Sequence, residues 1–182
     1  MSMPLARRFT ADAVRAFPDD GNRYETVYGE LRVTPAPRGR HQPIVTRLML
    51  SLGHYLASHD IEGLLTSPAD ISFGNDTLVQ PDLFVAAQAA FIQSGNWADI
   101  RILYLVIEIL SPSTVRTDRF TKRRLYQEQN IPTYWIIDIE NRQCEVWTPD
   151  ATVPVVERNE LRWRHPAAPA ECRIDLVKLF TL

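Results

Sequence analysis

The feature that most constrains this chain is an apolar run, Ile102 to Leu110, which reads ILYLVIEIL. A continuous run of this kind is typical of a central strand that is covered on both faces of a sheet. It contains one acid, Glu108. Because an ionised carboxylate in a dry interior is costly, we expect Glu108 to be paired, protonated or bound to a metal.

A second isolated acid, Asp82, lies in the apolar segment QPDLFV, which predicts a strand over Val79 to Ala86. Two neighbouring strands can hold both carboxylates a few ångströms apart, and like charges that close raise each other's pKa unless a cation lies between them. Oxygen ligands of this kind suit Mg²⁺ or Mn²⁺. The alternative is a protonated structural pair of acids, which is unusual in two core strands.

Lys122 is the candidate cation for this site, since it lies on the helix predicted directly after the Glu108 strand. Hydrolysis of a phosphodiester gains from a metal and from a lysine that stabilises developing charge. Lys122 also stands four residues after Asp118, so an ordinary surface ion pair on one helix face explains the spacing about as well.

Basic residues near this helix have two interpretations. The arginines at 116, 119, 123 and 124 are either a solvated face or a phosphate-contacting ridge, in which Arg119 and Arg123 would bind nucleic acid. His41 precedes a predicted helix and is expected to be a cap or surface residue more than a ligand.

The order of elements predicts a mixed sheet flanked by helices. The segment 24–33 alternates around Gly29 and predicts a hairpin. The remaining predicted elements are a helix over 43–58, strands over 61–73 and 79–86, a partly helical connection over 87–100, the apolar strand 102–110, a helix over 117–130 capped by Thr117, a strand over 133–138, a second hairpin into 143–147, and a docked segment 174–180.

Length and composition fit one domain, 1–182, of ordinary globular character. The chain has 182 residues, of which 45 % are hydrophobic and 23 % charged, and its net charge of -2 supplies no global field toward nucleic acid. We expect no signal peptide, no membrane span and reduced thiols at Cys144 and Cys172, and therefore a cytoplasmic protein.

Four blocks in the same order resemble the PD-(D/E)XK nuclease superfamily. More narrowly, they resemble a large bacterial family of restriction endonuclease-like proteins of unknown physiological role. The blocks are QPDLFV, LVIEILSPST, the D-x-x-x-K-x-x-x-Y spacing of Asp118, Lys122 and Tyr126, and NIPTYWIID. The similarity runs from about residue 23 to 148 and includes YETVYGELRV and the arginine–histidine pair before the first long helix.

This resemblance implies an α/β (α+β) fold with a restriction-endonuclease-like core, a four-stranded mixed sheet flanked by helices, with an additional N-terminal hairpin and C-terminal strands. It implies that Asp82 and Glu108 bind the metal and that Lys122 joins them in catalysis. The superfamily's lysine normally lies two residues after the second acid, where this chain has Leu110. In this family the lysine is displaced to the next helix.

The resemblance also implies auxiliary site residues. Glu30 matches the family's early acid, and His41 and Asp118 are further candidates. Tyr28 stands where the family commonly has an aspartate, and DIRILYL (99–105) replaces its usual lead into the Glu108 strand. Neither departure touches the three core residues.

Two functions follow as hypotheses. The first is a Mg²⁺- or Mn²⁺-dependent endonuclease that acts on nucleic acid, with DNA favoured over RNA. The second is a binding or scaffold module that keeps the fold without turnover. No segment resembles a separate reader domain, so sequence-specific cutting would require a homodimer or a partner.

Overall fold

The computed structural model describes residues 7–35, 39–87, 95, 97 and 100–181. Most of the connection predicted over 87–100 lies outside these residues.

In chain order the strands are β1 (Asn22–Val27), β2 (Glu30–Pro35), β3 (Leu64–Thr66), β4 (Ile71–Ser72), β5 (Leu78–Val79), β6 (Leu83–Ala86), β7 (Leu103–Ile109), β8 (Tyr134–Asp138), β9 (Gln143–Trp147), β10 (Val155–Glu157), β11 (Glu160–Trp163) and β12 (Cys172–Asp175). The α-helices are α1 (Ala11–Arg15), α2 (His41–Ala57), α3 (Arg123–Glu128) and α4 (Leu176–Phe180), and a π-helical segment, Thr117–Lys122, leads directly into α3.

The main sheet has the strand order β10-β9-β8-β7-β6-β3. Strands β7 and β8 pair in parallel, and the other neighbours pair antiparallel. The single parallel connection is the one that contains the π-helical segment and α3, as a parallel crossover requires. The predicted mixed sheet flanked by helices is therefore confirmed, with six strands where four were expected.

Strand β7 is buried because apolar residues cover both faces of the sheet around it. Leu105, Ile107 and Ile109 pack into a cluster that contains α2 and the C-terminal strands. Val106 points the other way, into a cluster that contains Tyr126 of α3. Since side chains alternate along a strand, Glu108 lies on the same face as Val106 and points toward α3.

A second sheet has the order β2-β1-β5-β4. Its residues Val27, Ile71 and Val79 pack in the same cluster as Val106 and Tyr126. Its hairpin turns at Tyr28 (φ 52°) and Gly29 (φ 79°), both in the left-handed region that a two-residue hairpin turn requires. The predicted hairpin over 24–33 is confirmed, as is the second hairpin of β8 and β9.

Two predicted strands are each divided between the two sheets. The strand expected over 61–73 consists of β3 in the main sheet and β4 in the second sheet, and the strand expected over 79–86 consists of β5 and β6 in the same way. Pro68 and Pro81 lie at the two breaks. A proline cannot donate to a strand ladder, so each break is a natural point for the chain to change sheets.

The helix predicted over 117–130 begins earlier and ends earlier, with helical backbone from Val115 to Glu128. Thr117 therefore lies within it and does not cap it. Its Oγ1 accepts a hydrogen bond from Arg32 Nη1 at 3.4 Å. Helix α2 begins at His41, two residues before the predicted start, and buries Ile44, as its periodicity predicts.

The C-terminal segment docks as predicted, since Leu176, Leu179 and Phe180 of α4 are buried in the core. The two cysteines are free and buried, with Cys144 in β9 and Cys172 in β12. In the part of the chain that the structure describes, no helix is long and apolar enough to cross a membrane.

Candidate active site

The register of the main sheet brings the two predicted acids together. Strand β6 pairs antiparallel with β7 so that Leu83 lies opposite Ile107. Asp82, one residue before Leu83, therefore lies across from Glu108. The link is direct, because the backbone N–H of Ile109 donates to Asp82 Oδ2 at 2.9 Å.

Glu108 is almost fully buried and receives two donors on one oxygen. Lys122 Nζ lies 2.8 Å from its Oε1, and the Tyr126 hydroxyl donates to the same atom at 3.1 Å. Burial raises the pKa of Glu108 well above its usual value, and the charge of Lys122 opposes that rise. The carboxylates of Asp118, Asp82 and Glu25 add to it.

Lys122 lies between carboxylates and is itself only 2 % exposed. Besides Glu108, it contacts Glu25 Oε1 at 2.8 Å, while Asp118 Oδ1 is 3.9 Å away. A surface ion pair with Asp118 is therefore the wrong interpretation of the four-residue spacing. Burial would lower the pKa of Lys122, but Glu108, Glu25 and Asp118 raise it above its usual value, so the ammonium stays charged.

Asp82 is held by three donors. Arg23 Nη2 lies 2.9 Å from Oδ1 and His41 Nε2 lies 3.0 Å from Oδ2, which also accepts from Ile109. Burial favours the neutral acid, but the hydrogen bond from His41, the charge of Arg23 and the Ile109 N–H outweigh it and lower the pKa of Asp82 to about 2. The expectation that His41 is a cap or surface residue is wrong, since it is buried against Asp82.

Asp118 also belongs to this group. It is 2 % exposed, and burial raises its pKa to about 6 against the opposing charge of Lys122 and a hydrogen bond from Thr114. The π-helical winding positions both Asp118 and Lys122 on the buried side. Segments of this kind occur frequently at functional sites.

All these groups line one small cavity of about 20 Å³. That volume holds one water-sized species. Four carboxyl groups face it against two permanent cations and one histidine: Glu25, Asp82, Glu108, Asp118, Arg23, Lys122 and His41.

A divalent cation fits this donor set in its chemistry. Carboxylate oxygens are the ligands that Mg²⁺ and Mn²⁺ prefer, and Mg²⁺ is commonly bound through one or two of them. Four carboxyl groups face only two permanent cations, so the lining of the cavity has an excess of negative charge that a divalent cation would offset. Within the described residues, no three or more His, Cys, Asp or Glu side chains are already grouped to hold an ion.

Two open pockets share lining residues with this cavity. One, of about 330 Å³, is lined by Arg23, His41 and Asp82, and another, of about 310 Å³, is lined by His41 together with Arg40 and residues of the segment after β7. His41 therefore lines both pockets, and Asp82 lines the first of them directly.

Three predicted site residues lie elsewhere. Glu30 has an exposed side chain that pairs with Arg32 at 2.9 Å, because it is at the start of β2, next to the hairpin turn. Arg119 pairs with Asp138 and Glu145, each at 2.7 Å.

Arg123 donates to the Arg119 carbonyl at 3.0 Å and to Gln127 at 2.9 Å, and its guanidinium lies over the Trp147 ring. Both guanidinium groups therefore already have partners in the protein, and the contact of Arg119 and Arg123 with phosphate stays a prediction.

Two residues of the site, Arg23 and Glu25, were not predicted. Both lie on one face of β1, which brings Arg23 to Asp82 and Glu25 to Lys122. Glu25 Oε1 also accepts from the backbone N–H of Gln80 at 2.7 Å. The sequence signal was the alternation of the hairpin, which shows that these two residues share a face but not which face is buried.

The mixed sheet, with Glu108 on β7 and Asp82 directly before the neighbouring strand β6, and the crossover helix with its buried lysine are typical of a restriction-endonuclease-like fold. The structure resembles a crystal structure described as a "putative nuclease" from Anabaena variabilis, with a TM-score of 0.75 and 22 % identity over 95 % of this chain and 98 % of that one. Residues 11–176 match the model of the Uma2 family, described as "putative restriction endonuclease". The chain belongs to that family. A comparison with curated proteins gave no match.

Proposed function

We propose that this protein is a phosphodiester hydrolase that requires Mg²⁺ or Mn²⁺ and acts on nucleic acid, with DNA favoured over RNA. The observation that supports this most is the convergence of three buried side chains, Asp82, Glu108 and Lys122, on one cavity of about 20 Å³. Buried ionisable groups with strongly shifted pKa values are typical of functional sites.

Each side chain has a role in this proposal. Asp82 and Glu108 hold the cation, which when bound supplies Lewis acidity and a hydroxide-generating water. Lys122, kept charged by Glu108 and Glu25, stabilises the negative charge that develops on the phosphoryl oxygens. Arg23 and His41 orient Asp82 and compete with the cation for its oxygens, since both already contact them.

The preference for DNA rests on the family description, and we place the whole chain, 1–182, in one domain. In this proposal, sequence-specific cutting would come from a homodimer or from a partner.

A cleavage panel tests the proposal. The wild type is incubated with single-stranded, duplex, nicked and branched DNA and with RNA, in Mg²⁺, in Mn²⁺ and in chelator. We expect metal-dependent cleavage of at least one DNA substrate, and its loss in Glu108→Gln. Glu62→Gln, which changes an exposed glutamate, is the matched control and should cut at the wild-type rate.

A second candidate function is a nuclease-fold binding or scaffold module without turnover. It is favoured by the fact that Asp82 already has Arg23 and His41, and Glu108 already has Lys122, so protein cations compensate both acids. A wild type that cuts nothing in any metal, and whose stability does not respond to Mn²⁺, would select this module.

A further inference from the structure

Next to the candidate active site, an open pocket of about 620 Å³ lies between β2 and the helical segment after β7. It is lined by Glu30, Arg32, Arg116, Phe120 and Thr121. The pocket combines positive charge with an aromatic ring, the two features with which proteins hold unpaired nucleotides.

The aromatic ring is Phe120, whose residue is 62 % exposed. On the same π-helical segment, Asp118 and Lys122 are each 2 % exposed and face the candidate active site. One side of this segment thus belongs to the site, and the other presents a large apolar ring to solvent. Stacking a planar group, such as a nucleotide base, on that ring would remove its apolar surface from water, which is favourable.

The positive charge comes from Arg32 and Arg116. Arg32 contacts Glu30 at 2.9 Å and Thr117 at 3.4 Å, but its Nε–H is buried and makes no hydrogen bond within the described part of the chain. Arg116 is exposed, and no ion pair or hydrogen bond of its side chain is found among the described residues. The buried Nε–H of Arg32 does not reach the pocket, but each of its two terminal nitrogens carries a second N–H besides the one used for Glu30 or Thr117. Donors for an anion therefore remain on both arginines.

The pocket adjoins the candidate active site through β2. Arg32 and Thr34 project from the same face of this strand, and two strand residues span about 7 Å. Thr34 lines the cavity that contains Glu108 and Lys122. If one phosphate of a nucleic-acid strand lies next to that cavity, the neighbouring nucleotide is therefore within reach of Arg32, about 7 Å further along β2.

We propose that this pocket is a subsite for a nucleotide next to the scissile phosphate, with its base stacked on Phe120 and its phosphate held by Arg32 and Arg116. A base inside a duplex cannot offer its face to a ring, so the substrate is single-stranded or locally unpaired there. This inference rests on the proposed hydrolase function and specifies its substrate class. It also replaces Arg119 and Arg123 with other arginines as the nucleic-acid contact.

Binding without divalent cation tests the subsite independently of hydrolysis. Fluorescence anisotropy measures the affinity for a single-stranded oligonucleotide of roughly 12 nucleotides and for the same sequence as a blunt duplex. We expect tighter binding of the single strand, and a loss of about 5- to 100-fold in Phe120→Ala, with Phe120→Trp near the wild type. The duplex should bind equally to all three proteins.

The arginines are tested by salt dependence. Arg116→Ala should weaken binding and reduce the slope of log affinity against log salt by about one. Arg164→Ala, another exposed arginine, is the matched control and should leave the slope unchanged.

The outcomes separate the two proposals. Loss of single-strand binding in Phe120→Ala supports the subsite even if the wild type cuts nothing, in which case the binding-module function follows. Cleavage by the wild type with single-strand affinity unchanged in Phe120→Ala overturns the subsite and leaves the hydrolase. An equal loss for single strand and duplex overturns base stacking, and a wild type that binds neither overturns the subsite.

Discussion

At the scale of single residues, the site is an imbalance of charge in a confined volume. Glu25, Glu108 and Asp118 surround one ammonium group, that of Lys122, while Asp82 has its own partners. Burial strengthens every one of these interactions because the effective dielectric is low. Lys122 is therefore needed for the folded state as well as for the proposed chemistry.

Replacing Lys122 should show this double requirement. Lys122→Met keeps the length of the side chain but leaves buried carboxylates without their cation, which should cost about 3–5 kcal/mol in the free energy of unfolding. The pKa of Glu108, already raised, then rises further. When the pKa of a carboxyl group is higher in the folded than in the unfolded state, the protein becomes less stable as pH rises from the unfolded pKa to the folded pKa. The cost of Lys122→Met in the free energy of unfolding should therefore be larger at pH 8 than at pH 5.

Urea denaturation at the two pH values measures this effect. Lys178→Met is the control, because Lys178 has an exposed side chain and its loss should stay within about 0.5 kcal/mol. An equal and small penalty in both variants would place Lys122 outside any tight charge network.

Asp118 gives a separate prediction about pH. Its folded-state pKa of about 6 lies above the ordinary 3.8, so its contribution to stability falls as pH rises from about 4 to about 6 and is constant above that. Asp118→Asn should remove this fall and be more stable relative to wild type at pH 7 than at pH 4 by roughly 2–3 kcal/mol. Asp150→Asn, at an exposed aspartate, should change nothing, and a parallel pH profile for wild type and Asp118→Asn would contradict the raised pKa.

At the scale of elements, the crossover helix is held over the main sheet by Arg119. Its guanidinium bridges Asp138 at the end of β8 and Glu145 in β9. This ties the π-helical segment, and with it Lys122, to two strands of the sheet. Arg119, which was also predicted as a nucleic-acid contact, thus joins the helix that carries Lys122 to the sheet.

Two arginines on this helix allow a matched test. Arg119→Ala should cost about 1–3 kcal/mol, because Glu145 is buried and loses a charged partner. Arg124→Ala removes an exposed pair with Glu128 and should cost at most about 0.5 kcal/mol. Thermal or urea unfolding measures both, and equal costs would show that Arg119 does not anchor the helix.

Local pattern predicted the elements that surround Glu108. The apolar run around that residue predicts a strand buried on both faces, and the period of α2 predicts its buried stripe, since both signals lie within a few neighbouring residues. The expectation that the two acids lie on neighbouring segments agrees with the pairing of β6 and β7, but the register of these strands was not predicted. The roles assigned to Asp82, Glu108 and Lys122 stay predictions.

The rest of the site depends on contacts between distant segments. Arg23 is 59 residues from Asp82, its partner, so no local pattern could connect them. Glu30 was predicted from its resemblance to the family's early acid, whereas Glu25, on the same face of the hairpin, is the residue that contacts Lys122. Arg119 was predicted either to be solvated or to contact phosphate, because its partners Asp138 and Glu145 lie on strands that follow the helix in sequence.

At the scale of the whole molecule, the candidate site lies where the two sheets meet. Strand β1 of the second sheet supplies Arg23 and Glu25, while the main sheet supplies Glu108 and the approach to Asp82. A cation bound between these groups would join the sheets. Binding at the site should therefore change the stability of the entire fold.

Mn²⁺ should accordingly raise the melting temperature. At 100 times its Kd, a ligand that binds only the folded state adds about 2.7 kcal/mol, which corresponds to several degrees for a chain of this size. Asp82→Asn and Glu108→Gln should lose most of that gain, whereas Glu62→Gln should keep it. An equal response of all four proteins in a thermal shift assay would place the ion elsewhere.

The two buried thiols have a practical consequence for following the motions of this fold. Burial raises the pKa of Cys144 well above its usual value and that of Cys172 to about 11, so neither is a ready thiolate in the closed protein. Each should react with an alkylating reagent only when its own sheet opens. Cys172 in the two-stranded sheet should be labelled before Cys144 in the six-stranded sheet. A mass-spectrometric time course of labelling would then give the opening rate of each sheet, without any cysteine having to be introduced.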